Sequence, residues 1–267
     1  MNRPDLATVA ELLKPITWFP PMWAFACGMV STGQPLSDNW LLIVWGVLLA
    51  GPWVCATSQA VNDWFDRHVD AINEPNRPIP SGRMPGRWGL YIAVVWTVLS
   101  LLWAWQLGPW GFAASGLGLV LAWAYSAPPV RLKANGWWGN SACALSYEGL
   151  AWITGSAVML GGAWPGQNTL ALALLYSLGA HGIMTLNDFK AVAGDRQMGV
   201  RSLPVQLGVD RAAPVGFRAI RLRFDLASDA GEESLAKLIQ LTERYCVILQ
   251  TLARSPEVSV ASEIAAG

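Results

Sequence analysis

The chain has 267 residues, of which 53% are hydrophobic and 13% charged. Soluble domains carry about 25% charged residues, so half that value, together with sixteen Trp, marks lipid rather than water as the main solvent. The formal net charge is zero, which gives no electrostatic basis for a nucleic-acid partner.

In chain order, the N-terminus comes first. With Asp5, Glu11 and a broken apolar run, it lacks the pattern of a cleaved signal peptide. A membrane helix needs about 20 mostly apolar residues. Six segments approach that pattern: 16–32, 40–61, 88–106, 110–127, 141–160 and 169–186. Pro20 and Pro21 interrupt the first, which is tolerated where neighbouring helices satisfy the freed carbonyls. Trp stands near several span ends, as an interfacial belt requires. The turns at 33–39, 107–109 and 161–168 hold no Lys or Arg, whereas the alternate loops hold Arg67, Arg77, Arg83 and Arg87, then Arg131 and Lys133, then Lys190, Arg196 and Arg201. With six spans, every basic loop falls on one side, and the positive-inside rule makes that side cytoplasmic. Cys27, Cys55, Cys143 and Cys246 are scattered without metal-ligand spacing, and three of them lie in apolar runs, where Cys behaves as a small hydrophobe.

The chemistry-bearing residues lie on the same side. After the second span comes Asn62-Asp63-Trp64-Phe65-Asp66-Arg67-His68-Val69-Asp70. If the helix continues past Val61, Asp63, Asp66 and Asp70 recur at i, i+3 and i+7 on one face. Three carboxylates on one face repel each other, which is unfavourable without a cation and asks for a bound metal; hard oxygen ligands suit Mg²⁺. A solvated acidic helix end is the competing reading. The sixth span ends in Asn187-Asp188-Phe189-Lys190, followed by Gly194-Asp195-Arg196. Asn-Asp thus recurs at the same end of another even-numbered span, which hints at an internal repeat with two facing half-sites. Two acidic clusters suit two Mg²⁺ ions that clamp one diphosphate.

These residues carry a resemblance. The run NDWFDRHVDAINEPNRPIPSGRM resembles the first signature of the UbiA superfamily of intramembrane prenyltransferases. NDFKAVAGDRQMGVRSLPVQLG resembles the second signature in the form used by chlorophyll synthases, and YSAPPVRLKANGWWGN the basic loop after the fourth span of that group. The resemblance covers about residues 8–213, and AHGIMTLNDFK and GDRQMGVRSLPVQLG lean toward the bacteriochlorophyll branch. It implies an all-α, polytopic helix bundle in the lipid bilayer. It also implies transfer of a phytyl or geranylgeranyl group from its polyprenyl diphosphate to the propionate of a (bacterio)chlorophyllide. Asp63, Asp66 and Asp70 would hold one Mg²⁺ with help from Asn62, and Asp188 and Asp195 the other, next to Asn187. Arg67, Arg77, Lys133, Lys190 and Arg196 are the candidates to neutralise the diphosphate. Tyr125 reads equally as an interfacial anchor or a diphosphate ligand. His181 reads as a helix–helix contact or a ligand to the pigment's central metal. Arg83 and Arg87 read as topology determinants or site residues.

The C-terminus departs from this pattern. UbiA-type folds usually have nine spans, but no further apolar run of 20 residues follows Gly208. A membrane domain is therefore expected over 1–213 and a charged αβ cytoplasmic tail over 214–267. The tail run RFDLASDAGEESLAKLIQLTERYCVILQTL resembles a strand–helix–strand fragment of OsmC/Ohr-type proteins. Two rival functions stand beside the main one: prenylation of a quinone or haem precursor, and pigment binding by an inactive paralogue that lacks the last spans.

Overall fold

The computed structural model describes residues 3–189 and 192–212. These belong to the first of two compact units, Met1–Ala219. The expected αβ tail lies outside the described residues, as does Lys190.

Among the described residues there is no strand, and helices follow one another in chain order. A short helix α1 (Leu6–Leu13) is capped by Asp5, whose Oδ1 accepts from the Thr8 amide at 2.6 Å. Helix α2 (Phe19–Val30) has Pro20 and Pro21 in its first turn, where no intrahelical N–H is needed. The two prolines therefore start the helix rather than interrupt it, and α2 is shorter than a span. Helix α3 (Trp40–Leu48) runs through a π-helical turn (Leu49–Cys55) around Pro52 into α4 (Ala56–Asn73). Then come α5 (Trp88–Trp105) and α6 (Gly108–Ser126). Helix α7 (Gly136–Ala144) passes through a second π turn (Leu145–Leu150) into α8 (Ala151–Met159). The last long helix is α9 (Gln167–Asp188), followed by the short α10 (Val192–Gln197), α11 (Leu203–Leu207) and α12 (Val209–Ala212).

Among the described residues, three helices are long and apolar enough to cross a membrane: Ser37–Ile72, Trp88–Trp105 and Gln167–Asp188. Their outer faces carry exposed Leu41 and Val44, Val94, Val98 and Leu102, and Leu174, Leu175 and Leu178. An apolar surface of this extent is at home in lipid, so the chain is an integral membrane protein with the helical architecture its pattern predicts. The first rod has 36 residues, about 54 Å at 1.5 Å per residue. The hydrocarbon core is about 30 Å thick. A rod of that length can cross the core and still carry the acidic end of α4 beyond it.

Close packing holds the rods together. Helices α2 and α8 touch backbone to backbone at two glycines. A Cβ on Gly28 would stand 2.1 Å from the Trp152 carbonyl oxygen, and one on Gly155 would stand 2.2 Å from that of Phe25. Small residues of this kind allow membrane helices to approach closely. Ser156 Oγ adds a hydrogen bond to the Gly28 carbonyl at 2.7 Å. On the other flank Trp45 and Trp103 stack at 3.8 Å. Each indole N–H donates to the other residue's carbonyl, at 3.2 and 2.9 Å. The Trp96 indole donates to the Pro52 carbonyl at 3.1 Å, which ties α5 to the first π turn. These Trp are packing residues first.

Candidate functional site

The helix does continue past Val61, so Asp63, Asp66 and Asp70 share one face of α4. Each meets basic side chains from distant segments. Lys14 Nζ lies 2.6 Å from Asp63 Oδ1. Arg77 reaches Asp70 Oδ2 at 2.8 Å and Asp63 Oδ1 at 3.5 Å. Lys133 Nζ lies 2.5 Å from Asp66 Oδ2, and Arg131 lies 3.8 Å from Asp66 Oδ1. Three carboxylates thus face four cations. Lys14 (φ 48°) and Arg131 (φ 39°) are the two non-glycine residues with positive φ among the described residues. Such backbone costs roughly 1–3 kcal/mol per residue and gathers at functional sites. Here both strained residues deliver a cation to the acidic face.

Two cavities meet at this face. The larger, of about 670 Å³, has Lys14, Arg77, Asn62 and Asn187 among its polar lining, and its apolar walls include Phe25, Leu49, Val54 and Leu150. The smaller, of about 240 Å³, is lined by Asp66, Asp188 and Asp195 together with Arg131, Lys133 and Asn140. Tyr125 and Asn187 border both. The second acidic cluster therefore faces the first across the small cavity. Asn140 Nδ2 donates to Asp188 Oδ2 at 3.1 Å and to Thr185 Oγ1 at 3.3 Å, which orients Asp188 from α7. Burial pushes the Lys133 ammonium down from its ordinary range, against the opposing pull of Asp66.

Asp63 and Asp70 are buried and line neither cavity; their partners Lys14 and Arg77 line the large one. Asp63 is 2% exposed, and its Oδ2 is buried with no hydrogen-bond partner. Among the described residues, no three His, Cys, Asp or Glu side chains stand close enough to share one metal ion. The repulsion on the α4 face is balanced here by Lys and Arg. The donor chemistry nevertheless fits Mg²⁺: carboxylate oxygens on two facing helices, one of them orphaned.

The other candidates divide. Arg67 turns back along its own helix, with its guanidinium 4.3 Å from the Trp64 ring centroid and one N–H on the Trp64 carbonyl at 2.6 Å. Arg196 is exposed and lines neither cavity. Arg83 forks onto Glu11 at 2.5 and 2.8 Å, pinning α1 to the loop after α4. The ring of His181 stands 5.9 Å from that of Trp137, between α9 and α7. Sequence reasoning missed Lys14 and Asn140 and assigned no site role to Arg131. Lys14, placed just before the first apolar run, carried a signal only in retrospect.

Comparisons with known proteins give a consistent picture. The model of the UbiA prenyltransferase family matches residues 17–220. The chain is 61% identical over 210 residues to a protein named bacteriochlorophyll synthase 33 kDa chain from Cereibacter sphaeroides, covering 79% of this chain and 69% of that one. It is 41% identical over 212 residues to a chloroplastic chlorophyll synthase of Oryza sativa, covering 76% and 55%. A solved UbiA homolog from Archaeoglobus fulgidus bound to GPP and Mg²⁺ superposes with a TM-score of 0.65 at 24% identity, covering 78% of this chain and 73% of the homolog.

Proposed function

This chain belongs to the UbiA prenyltransferase family, and we propose that it esterifies the propionate of a bacteriochlorophyllide or chlorophyllide with a phytyl or geranylgeranyl group taken from the diphosphate. The observation that carries this reading is the 61% identity to a bacteriochlorophyll synthase chain across the segment that contains both acidic signatures. The site's shape supports it: a charged mouth opens into a membrane-embedded cavity with apolar walls.

In this reading the diphosphate binds at the mouth, where Lys14, Arg77, Arg131 and Lys133 supply positive charge. Asp63, Asp66 and Asp70, paired here with Lys14, Arg77 and Lys133, would have to exchange those partners to hold one Mg²⁺, and Asp188 and Asp195 would hold another. Bound there, the metal would neutralise the leaving group's charge. The C1–O bond of the prenyl diphosphate breaks, and its electron pair leaves with the diphosphate oxygen. The acceptor carboxylate then gives an electron pair to C1 of the allylic cation and forms the ester. The carboxylate carries no proton at the attacking oxygen, so no protein base is needed. Cations preorganised around the departing oxygen act where charge develops, and the apolar cavity keeps water from the cation. Arg67, held against Trp64, and Arg196, which lines neither cavity, are not part of this scheme. Membranes that contain the chain, offered tetrapyrrole acids and aromatic quinone precursors with labelled prenyl diphosphate, should prenylate the tetrapyrrole. Prenylation of the aromatic acceptor alone would move the chain to another branch of the family.

The same reading places the site on the cytoplasmic face of a bacterial inner or photosynthetic membrane. Reporters fused after Arg83 and Lys133 should then be cytoplasmic, and one after Gly161 periplasmic. A cytoplasmic signal at Gly161 would contradict the loop-charge argument.

A further inference from the structure

Glu148 is an acidic side chain deep in the large cavity, away from the charged mouth. It sits in the π turn Leu145–Leu150, eight residues beyond Asn140. That places it about 12 Å farther along the helix at 1.5 Å per residue. π turns recur at functional sites. Glu148 lines the large cavity, and its Oε2 is buried with no hydrogen-bond partner. No cation among the described residues forms an ion pair with it. Its neighbour Tyr147 is anchored: Gln59 Nε2 donates to the hydroxyl at 2.9 Å, and Ser58 Oγ and Cys55 Sγ lie 3.3 and 3.4 Å away. The polar network holds the turn in place and leaves Glu148 out.

An unpaired ionisable group at membrane depth is costly and marks function by default. A carboxylate here would be a buried charge without a counter-ion. The neutral acid avoids that cost but becomes a donor that needs an acceptor. A prenyl chain offers none, and the diphosphate is held at the mouth. The acceptor does: chlorophyllides carry carbonyl groups on the macrocycle edge. We propose that Glu148 is a specificity-determining contact that donates a hydrogen bond to a peripheral carbonyl of the tetrapyrrole acceptor. The large cavity then takes the macrocycle edge below the reacting carboxylate. This inference rests on the tetrapyrrole reading of the acceptor.

The test measures binding, so it does not depend on turnover. The full chain in detergent is titrated with a magnesium tetrapyrrole acid, followed by pigment fluorescence, and separately with a non-reactive prenyl thiodiphosphate. Glu148→Leu should weaken acceptor binding about tenfold, the scale of one buried hydrogen bond and its orphaned partner. Donor binding should stay within about twofold, below the same scale. Glu148→Gln keeps a donor and should recover most of the loss. Acceptors with single carbonyls removed, the acetyl replaced by vinyl or the ring ketone by methylene, supply the second arm. One of them should bind wild type as weakly as the intact acceptor binds Glu148→Leu, with no further loss in the variant. If Glu148→Leu does not insert, Glu148→Met takes its place. Unchanged acceptor affinity, a loss confined to the donor, or a loss that persists against every carbonyl-deleted acceptor would overturn the proposal. Wild-type protein that binds the donor but no tetrapyrrole would overturn the proposed function as well.

Discussion

Asp188→Ala should lower prenyl transfer by about 10²–10³-fold, the scale of losing one charge-stabilising group at a reacting centre. Asp188 lines the small cavity opposite Asp66, and Asn140 donates to it at 3.1 Å. Its removal therefore leaves little buried charge uncompensated, and membrane insertion should survive. Asp63→Ala should be as damaging to turnover for two combined reasons. It removes a carboxylate from the first cluster, and it strips the partner from Lys14 at 2.6 Å. Breaking a buried ion pair costs about 3–5 kcal/mol, so Asp63→Ala should also lower thermal stability where Asp188→Ala does not. Turnover with labelled prenyl diphosphate at limiting Mg²⁺, read beside a melting curve, separates the two effects. Near wild-type turnover in either variant would refute the assignment of two facing acidic half-sites.

The largest effect on stability alone should come from Gly155→Leu or Gly28→Leu. At both positions a Cβ already falls within 2.2 Å of a backbone oxygen of the facing helix. Backbone cannot rotate aside as a side chain can, so α2 and α8 would have to separate. Overpacking typically costs about 1–3 kcal/mol, and a leucine at a backbone contact belongs at or above the upper end. For a chain of this size about 3 kcal/mol corresponds to roughly 6–12 °C in the melting midpoint. Gly116→Ala is the control: it lies in α6, and an added Cβ meets nothing within 4 Å. That change should be neutral or slightly stabilising, because alanine favours the helix. Equal losses at Gly116 and Gly155 would show that the α2–α8 contact is not what sets stability.

How far the architecture could be read in advance follows from where the information lies. The long rods were legible because apolar length is a local property. The continuation of α4 was legible because Asp63, Asp66 and Asp70 keep helical spacing. The start of α2 was misjudged: Pro20 and Pro21 look like an interruption in composition, yet the first turn of a helix accommodates them. The π turns at Leu49–Cys55 and Leu145–Leu150 change the local register without a composition signal beyond Pro52. The cations of the site were the least legible part. Arg67 and Arg77 are equivalent by type and both near the acidic motif. Arg67 lies over Trp64 on its own helix, whereas Arg77, from the loop, bridges Asp63 and Asp70. Lys14 reaches Asp63 across 49 residues of chain, a pairing that only the tertiary fold creates. The sequence pattern asks for a bound metal at the three carboxylates, whereas the side chains that stand against them here are Lys14, Arg77, Arg131 and Lys133.

The most direct test of the account is the stoichiometry of the reaction itself. The purified full chain, with Mg²⁺, geranylgeranyl diphosphate and a bacteriochlorophyllide, should release one diphosphate for each pigment ester formed, and chelation of the metal should stop both together. Pigment bound without ester, or diphosphate released without it, would contradict the claim that the two acidic clusters and the membrane cavity form one prenyl-transfer site.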